Sequence, residues 1–206
     1  MTTVEIALFD GWDELDALGP WEVLRQAERG GAPLSCRLVT VGEAREVEGA
    51  NGLRLRPGGP LGAPDWLVIP GGGWGERAER GAWGEARRGD LPRAIAAAHA
   101  RGARIASVCT GALLVAAAGL LRGRPAVTHR SALADLARAG AEVMEAARVV
   151  DDGDVVTAGG VTSGLDLGLR LVSRIAGPAA SGRVAAEMEL SPGPVHLGPR
   201  AAAPRG

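Results

Sequence analysis

Lysine is missing from this chain: all 23 basic side chains are arginine. That removes a Walker A lysine and every Schiff-base mechanism. Tyrosine is missing too, and Phe9 is the single phenylalanine, so apolar bulk comes from Leu, Val, Ala and five tryptophans. The two cysteines, Cys36 and Cys109, are too few to make a disulfide scaffold in 206 residues. No apolar run approaches the ~20 residues that span a bilayer, and no secretory leader precedes the first apolar stretch. These absences predict a cytoplasmic chain with reduced thiols and no membrane partner. A net charge of -1 supplies no basic field, which argues against a nucleic-acid partner. No cluster of His, Cys, Asp and Glu has metal-ligand spacing, so no metal is expected.

What is present is an ordinary globular composition, with 46% hydrophobic and 23% charged residues. Apolar strand-like runs at 4–9, 37–41, 66–69, 104–108 and 125–128 alternate with helical patterns at 20–29, 90–101, 111–118 and 131–139. A charged stretch at 76–90 is helical by composition. Asn51-Gly52 and residues 151–154 read as hairpin turns. Further helices are expected at 163–175, with Ser163 and Asp166 at capping-box spacing, and at 179–188. The alternation predicts an α/β fold, with a largely parallel sheet covered by helices on both faces and one inserted hairpin. Residues 1–190 read as a single domain and 191–206 as a Pro/Gly/Ala-rich tail.

Sites in such sheets form at the carboxyl ends of the strands. Four segments converge there: the acidic loop 10–19, the glycine loop Gly71-Gly72-Gly73, Cys109-Thr110, and His129 at the end of the 125–128 strand. Ser107-Val108-Cys109-Thr110-Gly111 has the layout of a nucleophile elbow, with small residues flanking a cysteine between strand and helix. A sulfur at a helix start is expected to have a lowered pKa. Cys36, at the start of its strand, reads as a packed core residue. The glycine loop fails as a dinucleotide fingerprint, because Glu76 stands where the third glycine is needed. Its surviving role is an oxyanion hole of backbone N–H groups from Gly72 and Gly73, joined by Thr110. His129 is a candidate base for Cys109, whereas His99 and His196 read as surface residues. Among the carboxylates, Asp13 and Glu14 read as solvated. Asp16 lies between Leu15 and Ala17-Leu18, and a carboxyl group packed there beside the thiol would have a raised pKa and share its proton.

One set of motifs resembles a known group. It comprises Leu15-Asp16-Ala17-Leu18-Gly19-Pro20, Ile69-Pro70-Gly71-Gly72, Ser107-Val108-Cys109-Thr110-Gly111 with Ala118-Gly119-Leu120-Leu121, Thr128-His129, and residues 159–166 from Gly159-Gly160-Val161 to Leu165-Asp166. Together these resemble the ThiJ/PfpI group of the class I glutamine amidotransferase-like superfamily, and within it the isonitrile hydratases. The resemblance implies a flavodoxin-like three-layer sandwich, a homodimer, and cofactor-independent hydration of an organic isonitrile to an N-substituted formamide. It places catalytic roles on Cys109, Asp16 and Thr110, and substrate or oxyanion contacts on Gly72, Gly73, Thr110, His129 and Val161. Arg130 departs from that branch, which carries an aromatic residue after Thr-His. Two alternatives stand beside this expectation. One is a glyoxalase, deglycase or amidase-type hydrolase using Cys109 and His129. The other is a non-catalytic redox or ligand sensor, although the chain leaves no room for the DNA-binding module of related regulators.

Overall fold

Trp66-Leu67-Val68-Ile69 are all fully buried, and a strand apolar on both faces belongs inside a sheet that is covered on both sides. The computed structural model, which describes residues 1–202, shows that sheet. In chain order the elements are β1 (Thr2–Leu8), α1 (Glu14–Arg29), β2 (Leu34–Thr40), β3 (Val47–Glu48), β4 (Arg54–Leu55), β5 (Trp66–Ile69), α2 (Ala82–Arg88), α3 (Asp90–Ala100) and β6 (Arg104–Val108). There follow α4 (Gly111–Ala117), β7 (Pro125–Ala126), α5 (Leu133–Arg138), β8 (Glu142–Val143), β9 (Val149–Asp151), β10 (Val155–Ala158), α6 (Ser163–Ala176), α7 (Pro178–Glu187) and β11 (Val195–Leu197).

Seven strands form one sheet in the order β11-β9-β10-β6-β5-β1-β2. All neighbours are parallel except β9, which runs antiparallel to β10 as the inserted hairpin. Helices α1, α6 and α7 pack together on one face, and α2, α3 and α4 on the other. This is the flavodoxin-like α/β sandwich. Gly168 on α6 is part of what positions α1: a Cβ there would lie 2.7 Å from Val23 Cβ, so only glycine lets the helices approach so closely. Among the described residues, no helix is long and apolar enough to cross a membrane.

The structure differs from the sequence expectation at several boundaries, each with a local cause. Helix α1 does not wait for Pro20. It starts at Glu14, because the Asp13 side chain accepts the Leu15 amide (3.1 Å) as an N-cap, and Glu14 and Asp16 suit the positive end of the helix. Pro20 lies inside the helix, where it withholds an amide from the Asp16 carbonyl. Asp16 therefore stands on a helix rather than in a loop. Strand β7 stops at Ala126 and pairs only with β8, outside the main sheet. Pro125 has no N–H to give, and the Val127 amide is taken by Thr157 Oγ1 (2.9 Å). Residues 76–81 are not helical, since Gly81 sits at φ 148° immediately before α2. Ser163 and Asp166 form no capping box: Asp166 accepts from Arg148 Nε (2.8 Å) and the Gly193 amide (2.6 Å).

Val195–Leu197, within the stretch expected to be a tail, adds β11 to the sheet edge beside β9. The Gly198 amide donates to Asp151 (2.8 Å), and Arg200 pairs with Asp152 (2.8 Å). Residues 203–206 of that stretch lie outside the described residues. His99 is likewise not a free surface group, since its Nε2 lies 2.7 Å from Asp154.

Candidate active site

Strand β6 ends at Val108 and α4 begins at Gly111, leaving Cys109 and Thr110 to turn the chain. Cys109 takes φ 56°, a left-handed conformation that a non-glycine side chain adopts only when its surroundings impose it. Both backbone groups of Cys109 are tied down. Its amide donates to the carbonyls of Ala158 (3.0 Å) and Gly159 (2.9 Å), and its carbonyl accepts from Thr128 Oγ1 (2.8 Å). The elbow is thus clamped by β10 on one side and by the segment after β7 on the other. Backbone amides of Thr110 and Val161 act on the sulfur. Val161 is itself held at φ 39°, an uncommon conformation for a β-branched residue.

Asp16 faces this sulfur from the first turn of α1, and it is fully buried. Its Oδ2 accepts the Gly71 amide (3.0 Å). Its Oδ1 is buried and has no hydrogen-bond partner among the described residues. Burial pushes the carboxyl group up to about 8; the neighbouring Asp13 charge adds to this, and the Gly71 amide and the thiol offset it in part. The carboxyl group is therefore protonated at neutral pH.

The same surroundings overturn the expectation of a lowered thiol pKa. Burial pushes the Cys109 thiol upward and the Asp16 carboxylate pushes it further, while the Thr110 and Val161 amides pull it back only partly. Helix α4 has just seven residues and, among the described residues, no cation answers the sulfur, so the helix start does not prevail. Cys36 is packed as expected, and burial lifts its thiol to about 12.

The glycine loop has a different job from the one its pattern suggests. The Gly71 amide serves Asp16 and the Gly72 amide serves Thr110 Oγ1 (3.0 Å), so neither points at a ligand. A Cβ on Gly71 would lie 2.5 Å from Thr110 Oγ1, so glycine is required for the loop to touch the elbow. The amides directed at the Cys109 sulfur are those of Thr110 and Val161. His129 does not act on Cys109. Its Nδ1 is occupied by Ser131, at 2.8 Å to Oγ and 3.3 Å to the amide, and no thiol–imidazole couple forms. His129, Arg130 and Val161 instead line a cavity of about 360 Å³. His196 is exposed on β11.

Three contributors have no role assigned from the sequence alone: Asp13, Gly71 and Thr128. Asp13 caps α1, donates its amide to the Gly71 carbonyl (2.8 Å) and raises Asp16. Its spacing three residues before Asp16, a capping pattern ahead of an apolar run, was the available signal. Among the described residues, no group of three or more His, Cys, Asp or Glu side chains is placed to hold a metal ion.

Known proteins share this sequence pattern and this fold. Residues 2–174 match the DJ-1/PfpI family. The chain belongs to that family. Isonitrile hydratase of Pseudomonas putida, an enzyme of similar sequence, is 34% identical over 191 residues, covering 91% of this chain and 78% of that protein. A ThiJ/PfpI family protein from Pseudomonas syringae superposes with a TM-score of 0.78 at 28% identity, over 94% of this chain and 76% of the other. Drosophila melanogaster DJ-1beta superposes with a TM-score of 0.79 over 92% of this chain and 98% of its own; at 18% identity it shares the fold. In this DJ-1/PfpI chain the family match ends within α6, so α7 and β11 lie beyond it.

Proposed function

We propose that the protein adds water to an organic isonitrile, giving an N-substituted formamide, with Cys109 as nucleophile and Asp16 as acid and base. One observation carries this reading: a fully buried carboxyl group faces the elbow sulfur with, among the described residues, one oxygen unpartnered and no cation to ionise it. The likeness to isonitrile hydratase supports the same chemistry.

The reactive form is the pair with one proton, resident on Asp16, and the charge on sulfur. The sulfur bonds to the terminal isonitrile carbon while the Asp16 proton passes to that carbon, giving the thioimidate R–N=CH–S–Cys109 and ionised Asp16. Ionised Asp16 then takes a proton from water as the water oxygen bonds to the thioimidate carbon. The nitrogen receives that proton and the C–S bond breaks, so the formamide leaves and Cys109 departs as thiolate. A second proton returns from the hydroxyl of the intermediate to Asp16, which restores the starting pair. Thr110 and Val161 amides hold the charge on sulfur as it forms and returns. No cofactor enters these steps.

The same proposal includes a single domain over residues 1–190, a cytoplasmic location and a homodimer. Leu15 and Leu53 are exposed large apolar residues, one of them directly beside Asp16, and they suit a self-complementary face. Cys109→Ala is expected to abolish turnover of a chromogenic aryl isonitrile while the protein remains folded by circular dichroism. Full activity in that variant ends the proposal.

A further inference from the structure

In a chain with five tryptophans and one phenylalanine, the placement of each aromatic is informative. Phe9, Trp12 and Trp66 are sealed in the core. Trp74 and Trp83 are instead half-exposed, side by side, in one groove of about 750 Å³. That is within the ~300–1,000 Å³ usual for small-molecule sites.

The groove has fixed walls. The two indoles meet edge to face, with ring centroids 5.2 Å apart and planes at 77°. Trp74 Nε1 donates to Asp135 (2.7 Å), which locks that ring in place. The Arg77 guanidinium lies over the Trp83 ring at 5.2 Å. Asp135 also pairs with Arg138, so its charge is answered within the wall. Arg77 and Arg122 line the groove and are exposed, and neither pairs with a carboxylate among the described residues. The lining thus offers aromatic surface together with surplus positive charge.

Its position ties it to the chemistry. Trp74 directly follows the glycine loop that holds Asp16 and Thr110. Leu113 in the groove wall is four residues past Cys109 on α4, and Ser131 in the wall holds His129. The glycine loop, the start of α4 and the segment after β7 therefore contribute to both the elbow and the groove.

We propose that this groove seats the substituent of the substrate, and that the substituent is an aromatic ring bearing a carboxylate; the claim rests on isonitrile hydration at Cys109. The ring packs on Trp74 and Trp83, and the carboxylate meets Arg77 and Arg122. The test separates groove from reaction by using hydration products, whose binding needs no turnover. Tryptophan fluorescence is titrated with 4-formamidobenzoate and with uncharged formanilide. The carboxylate is expected to bind about tenfold more tightly than formanilide. Trp83→Leu weakens both ligands about fivefold. Arg77→Gln/Arg122→Gln, at two exposed positions, narrows the preference to about twofold. Equal affinity for the two ligands in the parent protein, or an undiminished preference in the double variant, overturns the proposal. Turnover of cyclohexyl isonitrile is followed in parallel. Turnover without a carboxylate preference sinks the groove alone, whereas the expected binding without any isonitrile turnover sinks hydration and leaves the groove as a binding site.

Discussion

The two ends of the β6–β10 pair treat buried carboxylates in opposite ways. At the amino end, the hairpin around Gly153 surrounds its acids with arginine. Asp151, fully buried, is bridged by Arg170 (2.7 Å) and Arg174 (2.7 Å). Asp152 takes Arg124 (2.7 Å) and Arg200 (2.8 Å), and Asp154 takes Arg124 and His99. Burial works to raise Asp152, but the Arg200 amide and the Arg200 and Arg124 side chains hold it below the ordinary carboxylate range. Burial likewise opposes the Arg124 and His99 bonds at Asp154 and is outweighed. At the carboxyl end, Asp16 is as deeply buried as Asp151, yet its charged neighbour is another acid. Burial is common to both ends; the counter-ion is not. Where arginine is supplied the carboxylate is a fastener, and where it is withheld the carboxyl group keeps its proton.

The sharpest way to break this contrast is Asp16→Asn, which keeps an acceptor for the Gly71 amide but has no proton to give. Activity toward an aryl isonitrile is expected to fall by about 10³–10⁴, the upper part of the range for general acid–base catalysis. In the parent protein, kcat/KM should rise with pH and level off above about 8, as the pair sheds its first proton and the singly protonated pair, of which the thiolate–carboxylic acid arrangement is one tautomer, becomes the main population. The Asn variant should lose that inflection. Stability should move the other way. Asp16 holds its proton up to about 8 when folded, against 3.8 when unfolded, so the folded chain carries an extra proton between those values. Its contribution is complete below about 3.8 and is lost as pH rises through 8, a change on the order of 5 kcal/mol. Urea denaturation at pH 5 and pH 9 should therefore show Asp16→Asn gaining on the parent as pH rises. Parallel stability curves for the two proteins would mean that the carboxyl group is not held neutral.

At the opposite end the corresponding break is Arg124→Met. The Arg124 side chain is 10% exposed and Asp152 2% exposed, so the change strands a carboxylate in the interior. The cost expected is about 3–5 kcal/mol in chemical denaturation at pH 7. Acid tolerance should suffer as well. Asp152 and Asp154 have lowered values in the folded chain, so the stability they contribute is present above about 3.8 and disappears as pH falls through the folded values. Without Arg124 those values climb, and the acid transition moves to higher pH. A variant with an unshifted acid midpoint would show that Arg124 does not set them.

Much of the fold and of the Asp16 side of this contrast was legible from the order of residues, and the part that was not has a physical cause. Residues 66–69 and 104–108 announce buried strands because no polar residue interrupts the apolar face pattern apart from Ser107 and the leading Arg104. Small residues around Cys109 announce the elbow, and the apolar neighbours of Asp16 announce a raised carboxyl pKa. The helix carrying Asp16 was misplaced because Pro20 is a strong start signal and the Asp13 cap is a weaker one. The thiol pKa was misjudged because it answers first to burial and then to Asp16, a residue distant in sequence, and only the fold creates both. The Gly72 amide was misassigned for a similar reason: the glycines show that a loop is tight, and only the packed loop shows which acceptors lie against it. Strand β11 was illegible since three residues carry no periodicity, and it exists because the free edge of β9 receives it.

That late strand supplies the smallest and most discriminating test. Arg200 reaches Asp152 in two ways, through its guanidinium (2.8 Å) and through its amide (3.0 Å). Arg200→Ala removes the first and keeps the second. The Arg200 side chain is 50% exposed, so the ion pair is screened and its loss should cost less than about 1 kcal/mol. Asp152 still has Arg124 in the variant, and the backbone bond still pins the segment after β11. If Arg200→Ala instead costs as much as Arg124→Met, the arginines at this end act as one indivisible cluster. The contrast with Asp16 would then lie between a cooperative ionic network and a lone acid, rather than between a paired and an unpaired carboxyl group.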